Sequence, residues 1–387
     1  MSLIKDLMGR GGDDNPYERL GYTTNPFPRQ GEVRPDVFVE RPELDALQKD
    51  LASFLKGRSQ GAVWALSGGQ GLGKSNFLHH LEHVLREFEA TGAIERTAYH
   101  LVPSRSLTPS RIAEEILNAI GPARIARLLE ERRDFPATYQ NTDFGRFWQG
   151  VLRRNELYPD LAAEIHAQFL IRWISGHQTY KSERDRYAII AREKLPPAVA
   201  LPYLRGLVDM LQADGQLDRI ILLLDEFEDI QLLRTSERTD YVQTLKGLLN
   251  TFNWQVLYVI VAGAPAAFEV IATSYPSLAS RWRGRVAELL PVQDPHAAVE
   301  LATAYKKTAM ISRDAQLGEL HPTDHEVEKA FIELFNKSPG NVTQRDLLTS
   351  LHDQVEQLAN EQSPPPTGLP VHRVSMRRPP GRAPKVR

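Results

Sequence analysis

The chain has 387 residues, 42% hydrophobic and 25% charged, with a formal net charge of −2. This is the composition of a globular protein with room for two or three domains, and its near-neutral charge leaves only local attraction to nucleic acid or membrane. There is no cysteine, which excludes disulfides and thiolate metal sites and suits a cytoplasmic location. No run approaches the ~18 apolar residues needed to span a bilayer, so no membrane partner is expected.

Residues 1–36 are rich in Gly, Asn and Pro and read as a loop-like N-terminal arm. Its first residues hold no long apolar stretch, so no secretory signal is expected. The arm contains Asn15-Pro16-Tyr17 and Asn25-Pro26-Phe27, read as two turns carrying aromatics. From Arg41 the period becomes helical: Leu44, Leu47, Leu51 and Leu55 share one stripe, and Gly57 follows. Residues 62–67 (AVWALS) form a short buried strand, a helix runs to about Phe88, residues 97–103 are a second strand, and 107–121 are a helix ended by Gly121. Residues 122–200 keep a helical pattern punctuated by Pro136, Pro159, Pro196 and Pro197. Strand character returns at 219–230, an apolar run closed by acids, and at 256–265, separated by a polar helix at about 237–250. Continuous apolar runs alternating with helices predict a parallel sheet covered on both faces. After 295 the pattern is helical to 362, and 363–387 is Pro-rich and reads as disordered.

The chemistry is concentrated at Leu66–Ser75, LSGGQGLGKS. Gly68, Gly69, Gln70, Gly71, Leu72, Gly73, Lys74 and Ser75 fit the phosphate-loop pattern GxxxxGK[ST], with a strand before and a helix after. Its glycines let successive backbone N–H groups turn toward phosphate oxygens, and the following helix, which begins with Lys74, Ser75 and Asn76, points its positive end at the same anion. Lys74 is expected on the β- and γ-phosphates and Ser75 on Mg²⁺. Downstream, the apolar run 220–224 closes on Asp225-Glu226. A strand that ends in acids delivers them to the carboxyl edge of a parallel sheet, where ligands bind. Asp225 fits a Mg²⁺ ligand and Glu226 a group that orients or deprotonates the attacking water. Glu228 and Asp229 read as solvated charges at a helix start. His79 and His80, adjacent on a helix, read as surface and core residues, because neighbouring positions cannot form a metal pair. The pentapeptide LSGGQ is also the signature of ATP-binding-cassette proteins. There it lies far downstream of the phosphate loop; here it is embedded in the loop, and the match is accidental.

With both motifs in place, the sequence resembles the AAA+ ATPases, and within them the origin-recognition-like clade and the ATPase regulators of DNA transposition, over roughly residues 25–355. The resemblance implies an α/β P-loop NTPase fold. The nucleotide-binding domain would span 37–292, with a helical insertion at 122–200, and an α-helical lid would span 293–362. It also implies ATP and Mg²⁺ as ligands. It makes Phe27, Phe38 and Arg41 candidates for the wall of an adenine pocket; ordinary packing of the arm is the alternative. The run 256–265 corresponds to the sensor 1 strand, but its tip, Gly263-Ala264-Pro265, has no side chain able to bond a phosphate or water. In SLASRWRGRVAELLPV, Arg281 aligns best with the arginine that enters a neighbouring subunit's ATP site, with Arg283 next; a surface patch is the alternative. In SPGNVTQRDLL the sensor 2 arginine position falls on Thr343, and Arg345 stands two residues on, about 200° around the helix, so it is no one-for-one replacement. Both sensors being atypical, slow or partner-dependent hydrolysis is expected.

Lys74 and Asp225 are 151 positions apart, more than the resemblance implies for a compact core, so 122–200 reads as an inserted helical module. The insertion carries 13 Lys/Arg against 10 Asp/Glu, with Arg124, Arg127, Arg132, Arg133, Arg146, Arg153 and Arg154 near Phe144, Phe147, Trp148 and Trp173. Arginines among aromatics suit DNA, but an amphipathic bundle with those aromatics in its core is the favoured reading. A partner-protein surface is a third. The tail 363–387 has six Lys/Arg, seven prolines and no acid, which suits loose nucleic-acid contact, partner capture or an inert end. The leading expectation is an ATPase that forms homo-oligomers on ATP and acts with DNA and partner proteins in mobile-element, replication or defence machinery. A STAND-like signalling switch or an ATP-binding scaffold is the alternative, and a motor helicase fits least.

Overall fold

A computed structural model describes residues 15–102, 109–131, 137–140, 142–157, 163–182, 197–252, 255–312 and 317–361. The basic tail and Arg132 and Arg133 lie outside them.

Five strands make one parallel sheet: β1 (Val63–Ser67), β2 (Thr97–Val102), β3 (Arg219–Leu224), β4 (Leu257–Gly263) and β5 (Val286–Glu288). Their spatial order is β2-β3-β4-β1-β5. β4 pairs with β1 from Val63↔Val259 to Ser67↔Gly263, and with β3 from Ile220↔Leu257 to Leu224↔Val261. β4 is therefore the central strand, with the glycine loop leaving one neighbour and the acid pair leaving the other.

The apolar runs are continuous because the sheet is buried on both faces, and alternate residues feed two separate cores. Trp64, Leu66, Ile221, Leu223, Tyr258, Ile260 and Ala262 pack against α1 (Asp45–Leu55) and α2 (Lys74–Ala90). Val63, Ala65, Ile220, Leu222, Leu224, Val259 and Val261 face the other way. That second core takes in α3 (Pro109–Ile120), α4 (Pro122–Glu131), α5 (Asp143–Leu157), α6 (Ala163–Ile174), α7 (Pro197–Ala213), α8 (Thr235–Thr251) and α9 (Pro265–Ser274).

The insertion is thus a thickening of one helical layer that shares a core with the sheet. Phe144, Phe147, Trp148 and Trp173 are all buried in it. Phe147 stacks on Trp173 at 4.6 Å, and Tyr203 of α7 meets both edge-on. These rings have no face left for a nucleobase, so the core reading holds and the stacking reading does not. Of the nearby arginines, Arg124 donates to the carbonyls of Ile120, Glu95 and Thr97, and Arg146 pairs with Asp143.

The chain closes with α10 (Pro295–Ala309), α11 (Asp324–Lys337) and α12 (Gln344–Glu361), a helical lid with its own core of Leu301, Tyr305, Val327, Phe331, Leu347, Leu351 and Val355. Each helix starts at a side-chain cap, as local sequence dictates. Asp294 accepts Ala297 N–H at 2.9 Å, Thr323 and Glu326 form a reciprocal box, and Thr343 accepts Asp346 N–H at 3.1 Å. Together they make a parallel α/β sheet covered by helices on both faces and followed by a helical lid, the layered arrangement that the sequence implied.

The N-terminal arm belongs to the lid. Asn15 and Asn25 each accept the N–H two residues on, at 3.1 Å, so NPY and NPF make the same Asx turn. Asn25 also donates to His352 O and to Glu356, which further accepts Tyr17 O–H at 2.5 Å. Thr23 N–H and Ile311 N–H complete the seam by donating to Ala309 O and Gly21 O.

Candidate functional site

A cleft of about 740 Å³ opens at the carboxyl ends of β1, β4 and β3. Its floor includes Gln70, Gly71, Gly73, Lys74, Ser75 and Asn76 from the glycine loop, and Asp225, Glu226 and Glu228 from the turn after β3. The lid adds Tyr305, Gln344 and Arg345, and the arm adds Pro28–Val33. Two motifs that are remote in sequence therefore share one cavity, of the size usual for small-molecule sites.

The glycines are required by space and backbone. Gly73 has φ +95°, and a Cβ there would stand 2.3 Å from Gln344 Oε1; Gly71 has φ +79°, and a Cβ there would lie 3.0 Å from both Thr343 Oγ1 and Arg345 Cβ. The loop is pinned to the sheet by Gly68 N–H to Gly263 O at 3.2 Å, and to the lid by Arg345 N–H to Gly71 O at 3.1 Å. Lys74 folds back over the loop, donating to Gly68 O at 2.9 Å and Gly69 O at 3.0 Å. Its ammonium is nearly buried. Burial pushes it below the ordinary lysine range, and the same-sign charge of Arg345 adds to this, while Glu228, Asp225 and Glu226 oppose it, Glu228 most.

The acid pair sits on a strained turn. Glu226 has φ +50°, the only non-glycine residue with positive φ among the described residues, and it heads the 3₁₀ turn Phe227–Gln231. Such a conformation is costly for a side-chain-bearing residue and concentrates at functional sites. Asp225 Oδ1 accepts Glu226 N–H at 2.8 Å, which leaves its other oxygen for a ligand. Phe227 anchors the turn, fully buried between Tyr241, Phe268 and Trp282.

Ser75 and Asp225 line the same cleft, so the donor set for a phosphate-bound Mg²⁺ is present: one hydroxyl and one carboxylate, the remainder coming from phosphate and water. Among the described residues no group of three or more His, Asp or Glu is suited to hold a metal unaided, and a cation of this kind does not need one.

Three sequence expectations are corrected here. Glu228 is not a solvated helix-start charge: it is half-buried, lines the cleft, and accepts Ala264 N–H at 3.1 Å. Phe27 is not on a base-pocket wall: it is 1% exposed, inside the lid core and 6.4 Å from the Tyr305 ring. His79 lines the cleft instead of lying on a plain surface, while His80 stacks on Phe38 at 4.6 Å and reaches Pro35 O. Phe38 and Arg41 do line an apolar pocket beside the loop, together with Leu72, Leu289 and Tyr305. That pocket measures about 20 Å³, space for roughly one water molecule. Arg41 is committed to Leu72 O at 3.1 Å, Leu290 O at 2.6 Å and Glu43. Asn76 ties the arm to α2, accepting Arg34 N–H and donating to Val37 O, both at 3.0 Å. Arg281 lies outside the cleft, on the turn before β5, where it donates to Asn250. Nothing in the sequence marked Tyr305, one apolar position among many on α10.

No protein-family model matches the sequence, and no curated protein matches it. Among solved structures the chain is similar to the Aeropyrum pernix ORC2 protein in its ADPNP–ADP complexes, at 15% identity and a TM-score of 0.42, over 84% of this chain and 70% of that one. The ADP form of the same protein gives 15% and 0.40, over 84% and 71%. The Aeropyrum pernix ORC1 protein in complex with DNA gives 15% and 0.47, over 85% of this chain and 63% of that one.

Proposed function

We propose that this protein binds ATP with Mg²⁺ in the cleft, hydrolyses it, forms homo-oligomers when ATP is bound, and acts with DNA and partner proteins. One observation carries the reading: Lys74 and Ser75, 151 positions upstream of Asp225 and Glu226, line the same cleft with them, and Arg345 of the lid joins them there. A site that combines a glycine nest, a buried lysine and a carboxylate pair is matched to a magnesium triphosphate and to little else.

In this reading the loop N–H groups after Gly68 and the Lys74 ammonium hold the phosphates, and Ser75 and Asp225 would hold Mg²⁺, whose charge would offset that of the phosphate oxygens. Glu226 orients a water and takes its proton as the water oxygen bonds to the γ-phosphorus. The bond from that phosphorus to the β–γ bridging oxygen breaks, and ADP and phosphate leave. Arg345 answers charge on the phosphates from the lid. Arg281, which donates to Asn250 on the turn before β5, is the candidate to serve a neighbouring subunit's site, where a guanidinium would spread charge over the γ-phosphate oxygens. Assembly, DNA and partner proteins rest on the motif resemblance.

Two measurements test this. Titration with a fluorescent ATP analogue should saturate with Mg²⁺ present, and a flat titration refutes the site. The mass in solution should rise with ATP and rise again with duplex DNA; no change with ATP counts against assembly, and no change with DNA against a direct DNA role.

A further inference from the structure

The strand between the loop and the acid pair, β4, ends at Gly263 and is followed by Ala264, neither of which has a polar side chain. The space is nevertheless filled by a polar group. Glu228 Oε2 accepts Ala264 N–H at 3.1 Å, and the same oxygen stands 3.2 Å from where a Cβ on Gly263 would be. Phe227 Cβ, at 3.1 Å from that point, and Glu228 N, at 3.5 Å, close off the rest. The turn 227–231 thus places a carboxylate where a side chain of β4 itself would project, and it lines the cleft with Lys74, Asp225 and Glu226.

We infer that Glu228 is a positioning residue that supplies, from the strand-end turn, the polar contact missing from the tip of β4. The inference rests on the ATPase reading of the cleft. Its chemistry is distinctive. A hydroxyl or amide at a strand end can donate to a phosphate oxygen; an ionised carboxylate can only accept, and it repels phosphate. Glu228 is therefore matched to the attacking water and not to the γ-phosphate. One of its oxygens is spent on Ala264 N–H. The other accepts one O–H of the water while Glu226 removes the proton of the second, so the lone pair that attacks the γ-phosphorus is aligned by two acids whose separation is fixed by one short turn. The Ala264 bond transmits any shift of β4 to that water.

Glu228→Gln separates this from a merely structural role. Glutamine keeps an acceptor for Ala264 N–H, so the fold is retained, but it turns an NH₂ donor toward the reacting groups and removes a negative charge. The expected result is an unchanged melting temperature and a kcat lower by about tenfold or more, the size of one hydrogen bond lost in the transition state. The affinity ratio of ATP over ADP, read by labelled-nucleotide titration even where turnover is slow, should rise. Glu228→Asp keeps the charge but withdraws it by one methylene, so it should lose kcat without gaining affinity for ATP. Wild-type kcat in both variants with an unchanged affinity ratio overturns the inference while leaving the ATPase reading standing. A wild-type protein that neither binds nor hydrolyses ATP overturns both.

Discussion

Lys74 gives the sharpest test, because its contributions to stability and to binding have opposite signs. Lys74 is 7% exposed, and its ammonium rests on two loop carbonyls. Its lowered pKa, caused first by burial, means that the fold disfavours the charge relative to water despite three nearby acids. Replacing it with methionine, a similar volume without charge, therefore removes a burden as well as two hydrogen bonds, and the ligand-free protein should keep its stability to within about 1 kcal/mol. Binding responds in the opposite way. An ammonium about 4 Å from one phosphate charge at an effective dielectric near 20 contributes about 4 kcal/mol, so Lys74→Met should raise the Kd for ATP by roughly a thousandfold. Thermal unfolding with and without nucleotide reads both effects. At a concentration of about 100 times Kd the wild type gains about 2.7 kcal/mol, a shift on the order of 5 °C, and the variant should show none. A variant with an intact ATP-induced shift would refute the placement of the triphosphate against the loop.

Three further outcomes follow from the same geometry. Glu226→Gln keeps the ligands for phosphate and metal but lacks the base, so ATP should bind while turnover falls by about 10²–10⁴, and mass measurement should find a persistent ATP-bound oligomer. Gly206→Ala tests the packing of α7 against the 122–200 segment. A Cβ there would stand 2.4 Å from the Phe144 ring, and the forced repacking should cost about 1–3 kcal/mol by urea midpoint while leaving ATP affinity unchanged. The third concerns pH. Because the folded-state pKa of Lys74 is depressed, the cost of burying its charge is full below that pKa and is relieved as pH rises through it toward the free-lysine value; ATP affinity should fall over the same window. An affinity flat from about neutral to the ordinary lysine pKa would show that the ammonium does not meet the phosphates.

The legible parts of the molecule were those whose signal is local. The apolar runs of β1, β3 and β4 announce buried parallel strands, and a glycine loop and an acid pair at their carboxyl ends announce their chemistry. β5 escaped notice because it is only three residues, Val286–Glu288, exposed, buried, exposed, and follows an arginine-rich turn. Glu228 was misread because sequence places it two residues beyond the pair, in a polar stretch; the left-handed Glu226 reverses the chain and carries Glu228 back to the cleft. No composition or period reports one positive φ. Arg41 was a candidate for a base-pocket wall by resemblance; its side chain is held by Glu43 and by the carbonyls of Leu72 and Leu290, and backbone partners are what sequence never distinguishes.

Arg345 shows how the cleft is built from the glycine loop and the C-terminal helices together. Counting around α12 sets Arg345 some 200° from Thr343, which argues that the two cannot face the same ligand. That argument assumes a helix approached from its side. Here α12 meets the loop end-on: Thr343 and Arg345 both crowd Gly71, Gln344 crowds Gly73, and Arg345 N–H bonds Gly71 O. At a helix N-terminus, residues on different sides converge on whatever lies beyond the end, and the unpaired N–H groups there add positive potential. The glycine loop is thus held between α2, which begins at Lys74, and α12, which begins at Gln344, two helices that present their positive ends to one short segment. The arm residues 28–33 close a third side and are themselves bonded through Asn25 to α12. A base cannot enter the 20 Å³ pocket between Phe38, Leu72, Tyr305 and Gln344 unless loop, lid and arm separate there. Because Tyr305 and Gln344 belong to the lid while Leu72 belongs to the loop, a ligand that widens this pocket acts on the contacts between lid and loop, among them the Arg345 N–H bond to Gly71 O.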